Sequence, residues 1–440
     1  MSLCLDDIRS CLEGAVPATL ASCDPDGEPN VSYVSQIHYL DARHVALTFQ
    51  FFNKTRRNIL ANPQATALVL DPDTCARYRL ALLYRRTETE GPVFASLKAK
   101  LAGIASHSGM AEVFRLQGAD IYQVLDVERV PGEQLPSCAG KRPLLSAIRR
   151  IATVLSKARD IPGLFDGLLA GVDREMGIRH GMVLLWDRGT DCLFTVASRG
   201  YADTGIGAEV PLGYGVVGVA MAERTPIRIA HFAADYGYVA AMREHSRTAM
   251  TGALETRIPF PGLPQPRSQL AIPIGAQGIL YVESDQDLQF RYDDEDALLV
   301  LASLADEISH RLRAAQETLA SGDHASAADS PAATTLRVRY YPGHSAVFID
   351  DDYLIKGVAG AILWRLLTEF ETSGRCDFSN RELRLDASLK LPDIDDNLES
   401  RLILLQRRVA ERGRGIRLEK TGRGRFRLRL PGPLQLECVD

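Results

Sequence analysis

No run of about 18 apolar residues occurs anywhere in the 440-residue chain, so no membrane-spanning helix is expected. The first residues lack an apolar signal core, and Asp6 and Asp7 stand early, which argues against a secretory leader. Cysteine is present but unpaired in sequence: Cys4, Cys11, Cys23, Cys75, Cys138, Cys192, Cys376 and Cys438 are scattered, with no CxxC. That spacing fits a reducing cytoplasm better than a disulfide framework. Histidine is thinly spread at nine. No His/Asp pair or paired-carboxylate constellation stands out, so no catalytic residue and no metal ligand is nominated. What remains is 46% hydrophobic and 24% charged, an ordinary globular balance, and a length that suits about three domains.

The net charge of −5 hides an asymmetry. Residues 1–135 carry 13 Lys and Arg against 16 acids, residues 136–335 carry 19 against 24, and residues 336–440 carry 19 against 16. Only this last segment is basic, and from Arg401 to Arg429 eleven cations meet two acids, Glu411 and Glu419. Leu398, Leu402, Leu405 and Val409 recur at i, i+4, i+7 and i+11, one face of an amphipathic helix. Gly413 and Gly415 end it. Ile416 and Leu418, then Phe426, Leu428 and Leu430, alternate on either side of a turn at 421–424, which predicts a hairpin. Arg425, Arg427 and Arg429 share the face opposite Phe426 and Leu428. A basic helix leading into a basic hairpin can grip a phosphate backbone. Arg401, Gln406, Arg407 and Arg408 are then the exposed helix residues expected to meet DNA, and Arg423, Arg425, Arg427 and Arg429 the hairpin residues. Asp393, Asp395, Asp396 and Glu399 stand where that helix opens; they would either repel DNA or cap the helix.

Residues 18–22, 30–39, 45–51 and 65–70 read as strands, with a turn at Asp24-Pro25-Asp26-Gly27 and a short helix that Asn62-Pro63 stops. Residues 75–90, rich in Arg, carry no assigned element. The segments PATLASCDPDGEPNVSYVSQIHYLD, HVALTFQ and NKTRRNILANPQATALVL, in this order, resemble the pyridoxamine 5'-phosphate oxidase-like split barrels. The resemblance assigns residues 1–131 to such a barrel. It implies FMN at a dimer interface, with the phosphate on Lys54, Thr55 and Arg56 and the ring along Val34, Ser35 and Gln36. Arg, Lys and a hydroxyl suit a dianionic phosphate; the plain reading is a solvated loop. Relatives of this fold also bind haem, another flavin or nothing.

Residues 132–143 read as a linker. Two helices, 144–157 and 162–176, precede strands at 181–187 and 192–198. GAEVPLGYGVVGVAMAERTPIRI, SQLAIPI and GILYVESDQDLQFRYDDEDALLVLASLADEIS follow. This order resembles a GAF domain over residues 144–315, which implies a small-molecule ligand of open identity. His231, Tyr236, Tyr238, His245 and Met250 lie in the segment that covers a GAF ligand. The long helix 293–315 carries Leu298, Leu301, Ala302, Ala305, Ile308 and Leu312 on one stripe, either a seam between two subunits or a face packed on its own sheet. Residues 316–335, small and polar, read as a flexible linker.

After it come short strands, a helix opened by YLIKGVAGAILWRLLTEF, a capping box at Ser379-Asn380-Arg381-Glu382, and the basic helix and hairpin. This order resembles the OmpR-type winged helix over residues 336–440. The expected fold is multidomain α+β: split β-barrel, GAF α/β/α sandwich, then C-terminal winged helix. The expected function is a cytoplasmic, homodimeric one-component regulator that senses a small molecule or cofactor and binds DNA. A flavin-dependent oxidoreductase and a scaffold with a protein-binding winged helix are the competing readings.

Overall fold

The computed structural model of the chain describes residues 3–12, 14, 16–34, 36–49, 54–107, 116–135, 143–229, 258, 260–317, 336–343, 345–350, 352–386, 389, 398–422 and 424–439. Its first unit is built on alternation. Strands β1 (Ala18–Cys23), β2 (Pro29–Val34), β3 (His38–Asp41), β4 (His44–Phe49), β5 (Gln64–Leu70), β6 (Arg77–Glu88) and β7 (Gly118–Val130) form one sheet in the order β2-β1-β5-β6-β7-β4-β3. Every pairing is antiparallel. Leu20, Ala67, Leu80, Leu82 and Tyr122 turn to a shared interior, as the two-residue period of a strand requires. Helix α1 (Lys54–Ala61) follows β4, and α2 (Pro92–His107) lies between β6 and β7.

Two expectations are corrected here. The single strand at 30–39 is two, because β2 pairs with β1 while β3 pairs with β4, with buried Ile37 between them. The unassigned stretch 75–90 holds β6, whose arginines at 77, 79, 85 and 86 are exposed while Leu80 and Leu82 are buried.

The second unit comprises α3 (Leu144–Leu155), α4 (Ile161–Met176), β8 (His180–Asp187), β9 (Cys192–Arg199), β10 (Glu209–Pro211), α5 (Gly215–Ala222), β11 (Ile227–Ile229), β12 (Ser268–Ile274), β13 (Gly278–Ser284) and α6 (Tyr292–Glu317). Its sheet runs β10-β9-β8-β13-β12-β11. Strands β12 and β13 read as near-continuous apolar runs because both faces of the sheet are covered. One face packs with α3, α4 and α6, the other with α5. Helix α4 is bounded by its own chemistry: Asp160 Oδ1 accepts from Gly163 N at 2.9 Å, and Gly177, at φ 69°, closes the C-terminus. Leu298, Leu301, Ala302, Ala305 and Ile308 of α6 are all buried in this core. The stripe therefore packs on its own sheet, and a subunit seam along that face is corrected.

The third unit has a four-stranded sheet, β16-β15-β14-β20, and a three-stranded one, β17-β19-β18. Its elements are β14 (Leu336–Tyr341), β15 (Ala346–Ile349), β16 (Asp352–Ile355), α7 (Gly357–Ser373), β17 (Asp377–Ser379), α8 (Asn380–Leu385), α9 (Leu398–Arg412), β18 (Arg417–Gly422), β19 (Arg425–Arg429) and β20 (Leu434–Cys438). The capping box forms: Ser379 Oγ accepts from Glu382 N at 3.3 Å, and Glu382 Oε2 accepts from Ser379 N at 3.1 Å. Strand β20, which the sequence pattern did not reveal, closes the unit by pairing in parallel with β14.

The units touch. Arg291 forks onto Asp73 at 2.5 and 2.7 Å, and Arg9 reaches Asp296 at 2.7 Å. Tyr292, at the start of α6, sits in the first unit's core, with the Arg228 and Arg9 guanidiniums 4.1 and 4.7 Å from its ring centroid. Arg228 is buried and pairs with buried Glu295 at 2.7 Å. Helix α2 meets the α5 side, where Ser96 and Thr225 hydroxyls lie 3.1 Å apart. Among the described residues no helix is long and apolar enough to cross a membrane.

Candidate functional site

At the N-terminus of α1 the three expected phosphate holders divide. Thr55 is buried; its hydroxyl accepts from Asn30 Nδ2 at 2.8 Å and donates to Ser32 Oγ at 3.1 Å. Lys54 Nζ, more exposed, lies 2.8 Å from Glu28. Both therefore face β2 and the turn before it. Arg56 faces the other way, toward β6 and β7. Its guanidinium stacks 3.9 Å from the Phe49 ring centroid, donates to Thr87 Oγ1 at 3.1 Å, and lies 3.4 Å from Asp120 Oδ2. Burial pushes the Asp120 carboxyl up from its ordinary value, and Thr87 and Arg56 oppose that shift. Arg56 is thus a partner for a buried carboxylate.

The expected ring-side residues follow the edge strand. Val34 is half-buried against the barrel core. Gln36 Nε2 donates to the Leu12 carbonyl at 3.4 Å. Ser35 lies outside the described residues. Strand β2 ends the sheet, so among the described residues one side of its backbone makes no ladder. Sequence reasoning missed Asn30 and Ser32, which share a face of β2 and meet Thr55. Their spacing of two, beside Val34, was the available signal.

The second unit's α5-side face carries polar groups at one end. Glu283 is buried on β13; its Oε1 accepts from Leu263 N at 2.7 Å and its Oε2 from the Tyr281 hydroxyl at 3.0 Å. Gln269 and His180 stand opposite it on β12 and β8. Burial and Glu283 raise the Tyr201 phenol above its ordinary value. A cleft of about 300 Å³ opens beside Glu283, lined by Arg179, His180, Gln286 and Gln289. His231, Tyr236, Tyr238, His245 and Met250 lie outside the described residues.

The expected DNA contacts need the largest correction. Helix α9 is buried on two faces, one toward its own unit and one toward the second unit. Arg401 is 8% exposed and Arg408 6% exposed. Arg401 pairs with buried Asp187 at the end of β8 and lies over the Phe194 ring; burial pulls its guanidinium below the ordinary value and Asp187 opposes this. Arg407 donates to Asp166 Oδ1 at 3.0 Å and to the Pro162 carbonyl at 3.1 Å, both on α4. Arg408 Nε donates to the Leu354 carbonyl at 3.0 Å, and Gln406 is half-buried. In this conformation Arg401, Arg407 and Arg408 are not exposed readers. The helix lost its exposed face because Leu404 and the stems of Arg401 and Arg408 also carry apolar surface, which a single-stripe pattern does not register.

The hairpin keeps the expected geometry. Phe426 and Leu428 are buried, and Arg425, Arg427 and Arg429 take the opposite face. Arg427 forks onto Asp377, both contacts at 2.8 Å, and Arg429 meets Glu419 at 2.8 Å. Arg423, Asp393, Asp395 and Asp396 lie outside the described residues.

A family model described as pyridoxamine 5'-phosphate oxidase matches residues 5–125. The first unit is a pyridoxamine 5'-phosphate oxidase-like domain. No curated protein matches the chain. Solved structures similar to parts of it include an FMN-binding protein from Syntrophomonas wolfei subsp. wolfei, 17% identical, covering 29% of this chain and 86% of that one at a TM-score of 0.26. Another is the GAF domain of a phosphoenolpyruvate-protein phosphotransferase from Acinetobacter, 18% identical over 40% and 97%, TM-score 0.31. A third is a free methionine-R-sulfoxide reductase from Neisseria meningitidis in complex with its substrate, 20% identical over 41% and 98%, TM-score 0.31.

Proposed function

We propose that the chain is a one-component, ligand- or redox-responsive transcription regulator. A split barrel that holds FMN and a GAF domain of open ligand identity govern an OmpR-type winged helix that binds DNA, in a homodimer. The observation that carries this reading is the third unit's order: a sheet, α7, capped α8, α9, and then a hairpin with Arg425, Arg427 and Arg429 on one face. Those cations suit phosphates, and phosphate contacts position a protein on DNA without reading sequence.

The FMN part rests on the family match and on the donors around α1. Lys54, Thr55 and the first N–H groups of α1 form a set that suits a phosphate, with Asn30 and Ser32 behind Thr55. Lys54 would exchange Glu28 for that phosphate, and the edge of β2 would lie along the ring. Bound FMN supplies a redox centre; the protein orients it.

The test is selection of bound sequences from a random duplex-DNA pool by the full chain, followed by titration at several salt concentrations. A sequence preference with affinity falling steeply as salt rises is expected. No duplex binding at about 50 mM salt overturns the DNA output and leaves the scaffold reading. The family match also favours a second reading, a flavin-dependent oxidoreductase with regulatory extensions. Multiple turnovers of pyridoxamine 5'-phosphate with oxygen would support it.

A further inference from the structure

Two of the helix cations expected to meet DNA, and a lysine at the start of α7, are held by carboxylates of the second unit. Arg401 is taken by Asp187, Arg407 by Asp166 at 3.0 Å, and Lys356, just before α7, by Glu209 at 3.1 Å. Two further contacts close the same surface. Glu411 accepts from the Thr204 hydroxyl at 2.9 Å, and a Cβ on Gly207 would stand 3.3 Å from Leu404. Two acidic side chains, Asp187 and Asp166, thus fill positions where phosphates would bring the same charge, and Glu209 tethers the start of α7.

We infer that the second unit masks α9: the structure is an off state in which Asp187 and Asp166 substitute for the DNA backbone and Glu209 helps to hold the third unit in place. The inference rests on the regulator reading and names how its output is controlled. The hairpin β8–β9 is the physical link. Asp187 and Phe194 face α9, whereas Leu184, Trp186 and Leu193, on the same two strands, belong to the α5-side face. A ligand seated on that face that shifts the hairpin moves Asp187, whose two oxygens also hold the turn through Gly189 N at 3.0 Å and Thr190 Oγ1 at 2.6 Å. Release requires a ligand that favours the undocked arrangement over the docked one.

The test uses the full chain with the triple variant Asp187→Asn, Asp166→Asn and Glu209→Gln, which removes three charges while Asn keeps an acceptor for the β8–β9 turn. The single variant Glu209→Gln serves as a control for folding. Docking is read by hydrogen exchange in residues 200–208 and 398–412, and binding by anisotropy of a fluorescent random-sequence duplex. Faster exchange in both segments with at least tenfold tighter DNA binding is expected for the triple variant, and a smaller shift in the same direction for Glu209→Gln. Faster exchange with DNA binding equal to that of the unmodified chain overturns masking. Unchanged exchange overturns the carboxylates as the clamp. Faster exchange with no duplex binding by any form sinks the DNA reading itself and leaves α9 as a protein-facing helix.

Discussion

Arg56 shows how far a residue's chemistry depends on what lies beside it. In sequence it is one of three cations in a loop; in the fold it neutralises Asp120 and stacks on Phe49. Removing one member of a buried ion pair typically costs about 3–5 kcal/mol, because the other charge is left buried. Arg56→Ala should therefore lower the unfolding free energy by about that amount, measured by urea denaturation. Lys54→Ala removes only an exposed pair, worth about 0–1 kcal/mol. It should leave stability nearly unchanged yet weaken FMN binding by about tenfold or more, since a charge-assisted contact is worth roughly 1.5–3 kcal/mol. His38 of β3 supplies a pH dependence. Burial first, then nearby Lys100 and Arg228, hold its imidazole at about 3, against an ordinary 6.5. The unfolded chain takes up that proton near pH 6.5 and the folded chain only near 3, so stability contributed by neutral His38 is complete above 6.5 and lost as pH falls through that window. Thermal midpoints should drop over the same range, and His38→Gln should flatten the drop.

At the scale of elements, what the sequence disclosed depended on whether one face alone was buried. Helices α4, α6 and α9, the β18–β19 hairpin and the Ser379 capping box were legible because a single period or a local hydrogen-bonding signature marks each of them. The expected 30–39 strand failed because pairing partners, not composition, divide β2 from β3. Strand β6 escaped because four arginines interrupt what is otherwise an alternating pattern. Helix α9 was placed correctly and its environment misjudged: its second buried face combines Leu404 with the stems of Arg401 and Arg408, which the single ladder of Leu398, Leu402, Leu405 and Val409 does not record. The cations and hydroxyl at the start of α1 stand out in the sequence, but their division into a β2-facing pair and an inward Arg56 is a tertiary fact. The hairpin carries its own prediction. Arg427 and Arg429 already hold Asp377 and Glu419, so the proposed DNA contact would exchange carboxylates for phosphates. Each phosphate neutralised contributes a log–log salt slope of about −0.9. Replacing Arg425, Arg427 and Arg429 together with Ala should flatten the slope by roughly 2–3 per subunit and weaken binding to unrelated sequences alike.

Over the whole molecule, the question is what covers the apolar surface left open. The α6 stripe cannot join two subunits, because it lies in the second unit's core. The outer face of the barrel sheet is one such surface among the described residues. Register places Tyr33 opposite Thr19 and Thr19 opposite Leu68, one row across β2, β1 and β5, with Val31 in the adjoining row. Val31 is 64% exposed, Tyr33 85% and Leu68 41%. Beside them β2 is an edge strand, a feature that proteins usually cover, charge or shorten. A two-fold contact would bury this patch against its own copy and bring a second chain to the edge where the FMN ring would lie. The full chain at micromolar concentration should therefore sediment near twice 48.3 kDa. Tyr33→Glu with Leu68→Glu places like charges in that contact and should give monomers. If the partner completes the flavin site, the same variant loses FMN although Lys54 and Thr55 are intact, and the two losses should appear at the same protein concentration. A monomeric variant that keeps its FMN would place the cofactor within one chain, and a native chain that sediments as a monomer would remove the dimer altogether.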